Sequence, residues 1–320
     1  MVKRNLGTKT LHRTLSTDFS ASGLEDNLVT LLLNSLEEAL DTFDIAVLDQ
    51  WGVLHNGSHP YPHAGDAMRT LKANEKEILI LSNSGKRADL NLLRLQEMRF
   101  PVETISKVIT SGETLWEDVN EERLKVGGKT PKKIFPISAQ KNDPVQWAGD
   151  SGKIEITFEL DETVDVFMLM GIQDGTAPDG FDTLFGQARE FQTPLICSNP
   201  DKTSPRAGGL VISPGALAQR YADMGGEVIW YGKPCLPIFR AVARSFPELP
   251  ANRFLMVGDS LEHDIAGAQK AGMKSAFIRG GIHAGDFRGA KSNKELSQVT
   301  DRLVAQHGLS APSYSLEFLA

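Results

Sequence analysis

Cysteine is almost missing from this 320-residue chain; Cys197 and Cys235 are the only two. They have neither the paired spacing of a structural zinc site nor the number needed for a disulfide framework, and a reducing, cytoplasmic setting is the expectation. Long apolar runs are missing too: none reaches the roughly 18 residues of a membrane-spanning helix. Nor is there a block of Lys and Arg. With a net charge of −7, neither nucleic acid nor an anionic membrane is expected as a partner. A small anion is not excluded, because a local cluster of donors can hold one inside an acidic protein. The basic, acid-free stretch is MVKRNLGTKTLHRTLST, residues 1–17. It has the charge of an organelle transit peptide without the amphipathic arginine pattern, so a docking or unstructured arm is the expected reading. Internal repeats and low-complexity segments are absent, which excludes a solenoid.

What the chain does contain is a succession of short Ile-, Val- and Leu-rich runs that stop abruptly at polar residues or Gly. DIAVLD (44–49) precedes a turn-rich segment and the helical AGDAMRTLKAN. EILILSNS (77–84) precedes ADLNLLRLQEM, and KVITSGE (107–113) precedes TLWEDVNEERL. Later come EVIWYGKP (227–234), RFLMVGDS (253–260) before DIAGAQKAG, and SAFIRGG (275–281). Continuous apolar runs of this length suit parallel strands covered on both faces. Their alternation with helical patterns predicts an α/β fold with a Rossmann-like, doubly wound parallel sheet.

The third and fourth units are separated by about a third of the chain, opening at the break KVGGKTPKK (125–133). This block repeats the theme by itself: KIFPIS, VDVFMLMGI and TPLICS read as strands, FDTLFGQAREF and PGALAQRYADMGG as helices. The expected organisation is an N-terminal extension over 1–35, a core from 36–117 and 225–320, and an inserted α/β domain over 118–224. The tail DRLVAQHGLSAPSYSLEFLA reads as one helix and an ordered end.

Open parallel sheets bind ligands beyond the carboxyl ends of their strands. The polar residues there are Asp49, Ser82 with Asn83, Lys233, and Asp259 with Asp264. Singly, each is as well explained as a turn or cap residue. Together they supply three carboxylates, a hydroxyl, an ammonium and backbone amides. Converging carboxylates repel unless a hard cation sits among them, and oxygen ligands suit magnesium. A phosphate can then be held by the cation, Lys233, Ser82 and the loop amides. Phosphoryl transfer needs chiefly such positioning and charge neutralisation, with Asp49 as a candidate nucleophile. A phospho-acceptor signalling domain shares this inventory, but such domains carry no domain-sized insertion between the Ser and the Lys.

The ordered set LDQWGVL, ILILSN, GKP and VGDSLEHDI resembles the four motifs of the haloacid dehalogenase-like (HAD) superfamily. The inserted block resembles the large α/β cap of its nitrophenylphosphatase-like branch; GVLHNG…YPHAGDA (52–67) and SNPD (198–201) are further matches to that branch, and GGLVISPGAL (208–217) resembles the cap's closing segment. The likeness spans roughly residues 44–285. It implies a magnesium-dependent phosphatase acting through an aspartyl-phosphate. Asp49 would be nucleophile and metal ligand, and the backbone carbonyl of Trp51 and Asp259 would be further ligands. Ser82 with the Asn83 amide would hold the phosphoryl group. Lys233 would neutralise charge, and Asp264 would support the metal waters or Lys233.

The departure is Trp51, which stands where family phosphatases usually carry a second Asp. That Asp protonates the leaving oxygen and then activates water; Trp offers only an indole N–H. Three outcomes follow: a slow or specialised phosphatase, a phospho-ligand-binding protein with an inherited site, or another aspartyl-ester reaction such as phosphonate or halide chemistry. Among replacement acids, His55 is the first candidate because it lies just past the nucleophile and titrates near neutrality, with His263 next. The cap loop CSNPDKTSPRAGG offers Asn199, Asp201 and Arg206 for substrate selection, set against ordinary turn-capping roles. A large cap suits a small phosphorylated metabolite (sugar, nucleotide or cofactor phosphate) and would obstruct a phosphoprotein. The oligomeric state is open, a homo-oligomer included.

Overall fold

Two parallel sheets absorb the apolar runs. The structure is a computed structural model that describes residues 29–206 and 209–320, without the side chains of 205–210; the basic stretch 1–17 lies outside the described residues. In chain order the strands are β1 (Leu31–Leu32), β2 (Ile45–Leu48), β3 (Glu77–Ser82), β4 (Ile105–Thr110) and β5 (Lys133–Ile137). Then follow β6 (Glu155–Ile156), β7 (Val166–Leu169), β8 (Leu195–Cys197), β9 (Thr203–Arg206) and β10 (Gly209–Ile212). The last four are β11 (Val228–Trp230), β12 (Phe254–Gly258), β13 (Lys274–Ile278) and β14 (Tyr314–Leu316).

The larger sheet has the order β1-β14-β13-β12-β2-β3-β4, every pair parallel. Residues alternate between its faces, as strand geometry requires. Ala46, Leu48, Ile78 and Ile80 pack with Ala67, Met68 and Leu71 of helix α1 (Ala64–Ala73). Ile45, Val47, Leu79 and Leu81 pack on the other side with Ile238, Phe239 and Val242 of the helix Leu236–Ser245. Both faces are covered, which is why these strands read as unbroken apolar runs. Among the described residues, no helix is long and apolar enough to cross a membrane.

The smaller sheet, β11-β8-β7-β5-β6, is also parallel and comes from the inserted block, with β9 and β10 as a separate antiparallel pair. Two placements differ from the sequence expectation. EVIWYGKP was expected to lie in the core, yet its strand β11 pairs with β8 in the smaller sheet, so the chain returns to the larger sheet only after Trp230. The expected N-terminal extension is not separate from residue 31 onward: β1 pairs with β14 at the edge of the larger sheet. The tail likewise supplies a strand where only an ordered end was foreseen. Two- and three-residue strands carry too little pattern to be read from composition.

The two crossings between the sheets are tied at Asp118, near the end of helix α3 (the second helix is α2, Ala88–Glu97; α3 is Ser111–Asn120). Asp118 accepts from Arg123 Nε at 2.6 Å and from the Tyr231 hydroxyl at 3.2 Å, and Arg244 lies 3.5 Å away. One carboxylate thus touches the outgoing chain, the returning chain and the core helix that follows.

If the tail strand belongs to the main core, its fully buried Leu316 cannot be shortened cheaply. Leu316→Ala is expected to cost about 2–5 kcal/mol in urea unfolding. A loss below about 0.5 kcal/mol, the range of surface changes, would place the strand outside the cooperative unit.

Candidate active site

β2 and β12 are neighbours, but the chain leaves them toward opposite edges of the sheet. That is a topological switch point, where an open α/β sheet forms a crevice. The residue after each strand is an aspartate: Asp49 after β2, Asp259 after β12. The Asp49 backbone N–H donates to Val257 O at 3.0 Å, which carries the sheet's register one residue into the site.

Lys233 and Asp264 complete the group. Lys233 Nζ lies 2.7 Å from Asp49 Oδ1 and 2.6 Å from Asp264 Oδ1. Asp264 comes from the wide helical turn Leu261–Ile265 and accepts from the Ser260 N–H at 3.0 Å. Asp49 Oδ1 accepts from the Gln50 N–H at 2.8 Å, and Asp259 Oδ2 from the Ile282 N–H at 2.8 Å. All four side chains are buried. Ligand atoms of Asp49, Asp259 and Asp264 lie within 4.8 Å of one another.

Backbone approaches this close require glycine. Gly52 has φ of +79°, and a Cβ there would stand 1.8 Å from Asp259 Oδ2; one on Gly281 would stand 2.1 Å from the same atom. These two glycines and the Ile282 amide were not among the sequence candidates. The signal was available in RGGI, a Gly pair directly after an apolar run.

The electrostatics are unbalanced. Burial raises the Asp49 carboxyl, Lys233 pulls it down and the Asp264 charge raises it again, which together leave it at about 7. Burial and then the charges of Asp49 and Asp264 hold the Asp259 carboxyl well above the usual carboxylate range. Burial opposes the charge on Lys233, but Asp264 and Asp49 outweigh it and raise its pKa. Ionising all three carboxylates against one ammonium would leave two negative charges in a buried place. Asp49 Oδ2, Asp259 Oδ1 and the Trp51 carbonyl accept no hydrogen bond among the described residues. An all-oxygen donor set with that charge deficit fits a hard divalent cation.

The remaining sequence candidates separate. Ser82 is buried beside the group, its Oγ accepting from the Ser84 N–H at 3.3 Å. The Asn83 side chain brackets the Lys233 backbone, accepting from its N–H at 2.6 Å and donating to its carbonyl at 3.2 Å. It also donates to Asp201 Oδ1 of the inserted block at 2.8 Å. His263 stands at the same seam, its Nδ1 3.1 Å from Ser260 Oγ and 3.6 Å from Asp201 Oδ1. Asn199 is spent locally, accepting from the Asp201 N–H at 3.1 Å. The Arg206 side chain lies outside the described residues.

His55 does not suit the role of replacement acid. Its ring is fully buried, set between Trp51 and Phe100. Burial and then the neighbouring Arg94 charge push its pKa down to about 4, so it is neutral at pH 7. Nδ1 accepts from the Gly57 N–H at 3.0 Å, which puts the proton on Nε2, and Nε2 has no partner. Proximity in sequence to Asp49 suggested a chemical group; the local fold makes it a packing group.

With this geometry in hand, known proteins give a consistent comparison. A family model described as haloacid dehalogenase-like hydrolase matches residues 46–141, and a second, HAD-hydrolase-like, matches 230–305. Dihydroxyacetone phosphatase of Corynebacterium glutamicum is 25% identical over 251 residues, 75% of this chain and 83% of that protein. Chronophin of Rattus norvegicus is 25% identical over 300 residues, 89% of each. Among solved structures, a haloacid dehalogenase-like hydrolase from Brucella suis superposes with a TM-score of 0.72 at 24% identity, covering 90% of this chain and all of that one. The p-nitrophenyl phosphatase from Archaeoglobus fulgidus gives 0.63 at 20% identity over 86% of this chain and 96% of its own; at such identities these are likenesses of fold. Matches on both sides of the inserted block, around the same carboxylates that the sheet brings together, show that the chain belongs to the haloacid dehalogenase-like hydrolases.

Proposed function

We propose that this protein is a magnesium-dependent phosphatase that acts on a small phosphorylated metabolite through an aspartyl-phosphate at Asp49. The observation that carries this reading is the buried convergence of Asp49, Asp259 and Asp264 at the switch point of the sheet, with Lys233 between Asp49 and Asp264. The names of the relatives support the reaction class.

Magnesium would be held by Asp49, Asp259 and the Trp51 carbonyl, with Asp264 in support, and would offset the charge of the phosphate dianion beside the carboxylates. Asp49 is the nucleophile, its carboxylate oriented by Lys233 and the Gln50 amide at Oδ1. Lys233 neutralises charge between nucleophile and phosphate, with Asn83 fixing its backbone. Ser82 supplies a hydroxyl to a phosphoryl oxygen. The inserted domain is the lid over the strand ends, and Asp201, tied to Asn83, is its contribution to the seam; a lid of that size admits a small substrate and excludes water.

Phosphate release from a panel of small phosphate esters is expected to be lost in Asp49→Asn and in EDTA. Metal-dependent ester binding without turnover by the wild type would instead support the binding-protein reading that Trp51 raises. Gly52→Ala forces a side chain onto Asp259 at a positive φ and should weaken magnesium binding at least tenfold by calorimetry, with the far-UV spectrum retained.

A pH effect follows from Asp49. In the metal-free protein its folded pKa, about 7, exceeds its unfolded value. Its stabilising contribution is therefore full below the unfolded pKa and is lost as pH rises through about 7. Magnesium replaces the proton, so it should raise Tm more at pH 8 than at pH 5.5; equal shifts at both would contradict the coupling.

A further inference from the structure

Trp51 follows Asp49 by two residues, and the structure gives its indole a full set of packing partners. A Cβ on Gly57 would lie 2.2 Å from both Cη2 and Cζ3 of the indole, so only a glycine leaves room for the ring edge. His55 meets the indole edge-on with ring centres 5.5 Å apart, and the Arg94 guanidinium lies 5.3 Å from the ring centre. Arg94 also donates to the Gly57 carbonyl at 2.8 Å, and the Gly52 N–H donates to the His55 carbonyl at 3.0 Å. The indole is thus a structural member of the 51–57 loop, clamped to α2.

The loop offers no second carboxylic acid. From Gln50 to Gly65 the sequence contains no Asp or Glu. His55 is enclosed and its Nδ1 is occupied by the Gly57 amide. Lys233 is held between two carboxylates, committed to charge neutralisation. Among the described residues, the 51–57 loop itself holds no group placed to hand a proton to a departing oxygen.

Resting on the phosphatase reading above, we infer that the substrate class is phosphates whose leaving oxygen is stable as an anion: aryl and enol phosphate monoesters, with acyl phosphates as the limiting case. In the first step an Asp49 oxygen bonds to phosphorus while the bond to the leaving oxygen breaks. The electron pair departs with that oxygen as a phenolate, enolate or carboxylate, and no proton is transferred from the protein. In the second step water bonds to phosphorus and the bond to Asp49 breaks, restoring the carboxylate. Both hydrogens of the water leave on the phosphate or pass to solvent. The carboxylate missing from position 51 would have served as acid in the first step and base in the second. Its absence makes the first step depend on the leaving group and leaves the second slow.

The test is the wild-type holoenzyme with magnesium, assayed for kcat/KM on a series running from acetyl and nitrophenyl phosphate through phenyl phosphate to alkyl phosphates. General acid assistance is typically worth ~10²–10⁴ in rate. Without it, the alkyl members should fall at least ~100-fold below the aryl and acyl members, and nitrophenol release should show a burst before the steady state. Trp51→Asp should narrow the gap at least tenfold by raising the alkyl rates. Equal kcat/KM across the wild-type series would overturn this inference while leaving the phosphatase reading intact. Loss of alkyl turnover in His263→Ala or Asp201→Asn would also overturn it, by locating an acid at the seam. Silence toward every member of the series would overturn the phosphatase reading and this one with it.

Discussion

The ammonium of Lys233 rests between Asp49 and Asp264, 2.7 and 2.6 Å away, where all three side chains are buried. Removing one partner from such a group strands a buried charge, at a cost of about 3–5 kcal/mol. The surrounding structure is accordingly devoted to holding it. The parallel pairing of β2 with β12 sets Asp49 beside Asp259. The turn after Ser260 sends Asp264 back toward Lys233, and Asn83 grips the lysine's own peptide from both sides. On the proposed reading, a divalent cation would offset the residual negative charge and let a phosphate approach.

The same polar network reaches the second sheet. Asn83 is shared between Lys233 and Asp201, so the residue that fixes the core lysine also fixes the nearest acidic group of the inserted domain. At the other end of the junction, Asp118 joins both chain crossings to the helix that follows Lys233. The inserted block is therefore tied to the core by two hydrogen-bonded clusters, one beside Lys233 and one at the chain crossings.

Much of this was legible in the sequence, for a physical reason. Parallel strands covered on both faces must be apolar throughout, so β2, β3, β4, β12 and β13 stand out, and the residues that end β2, β3 and β12 belong to the candidate site. Strand partnership was not legible. Backbone pairing leaves no mark on composition, so β11, an ordinary apolar run leading into GKP, gave no sign that it belongs to the smaller sheet. The short strands β1 and β14 were invisible for want of length. The side chain of Asn83 has a clamping role that the sequence did not show, because its partners lie about 120 to 150 positions away. His55 looked titratable, and only the packing of Trp51, Phe100 and Gly57 around it shows why it is not at neutral pH.

The covalent role of Asp49 is the point on which the functional reading turns. Acid-quenching the wild-type protein during turnover of nitrophenyl phosphate, followed by peptide mass analysis, measures it directly. The expected result is a phosphoryl group on the peptide containing Asp49, present only with magnesium and missing in Asp49→Asn. Sustained phosphate release with that peptide unmodified throughout, and undiminished in Asp49→Asn, would contradict it.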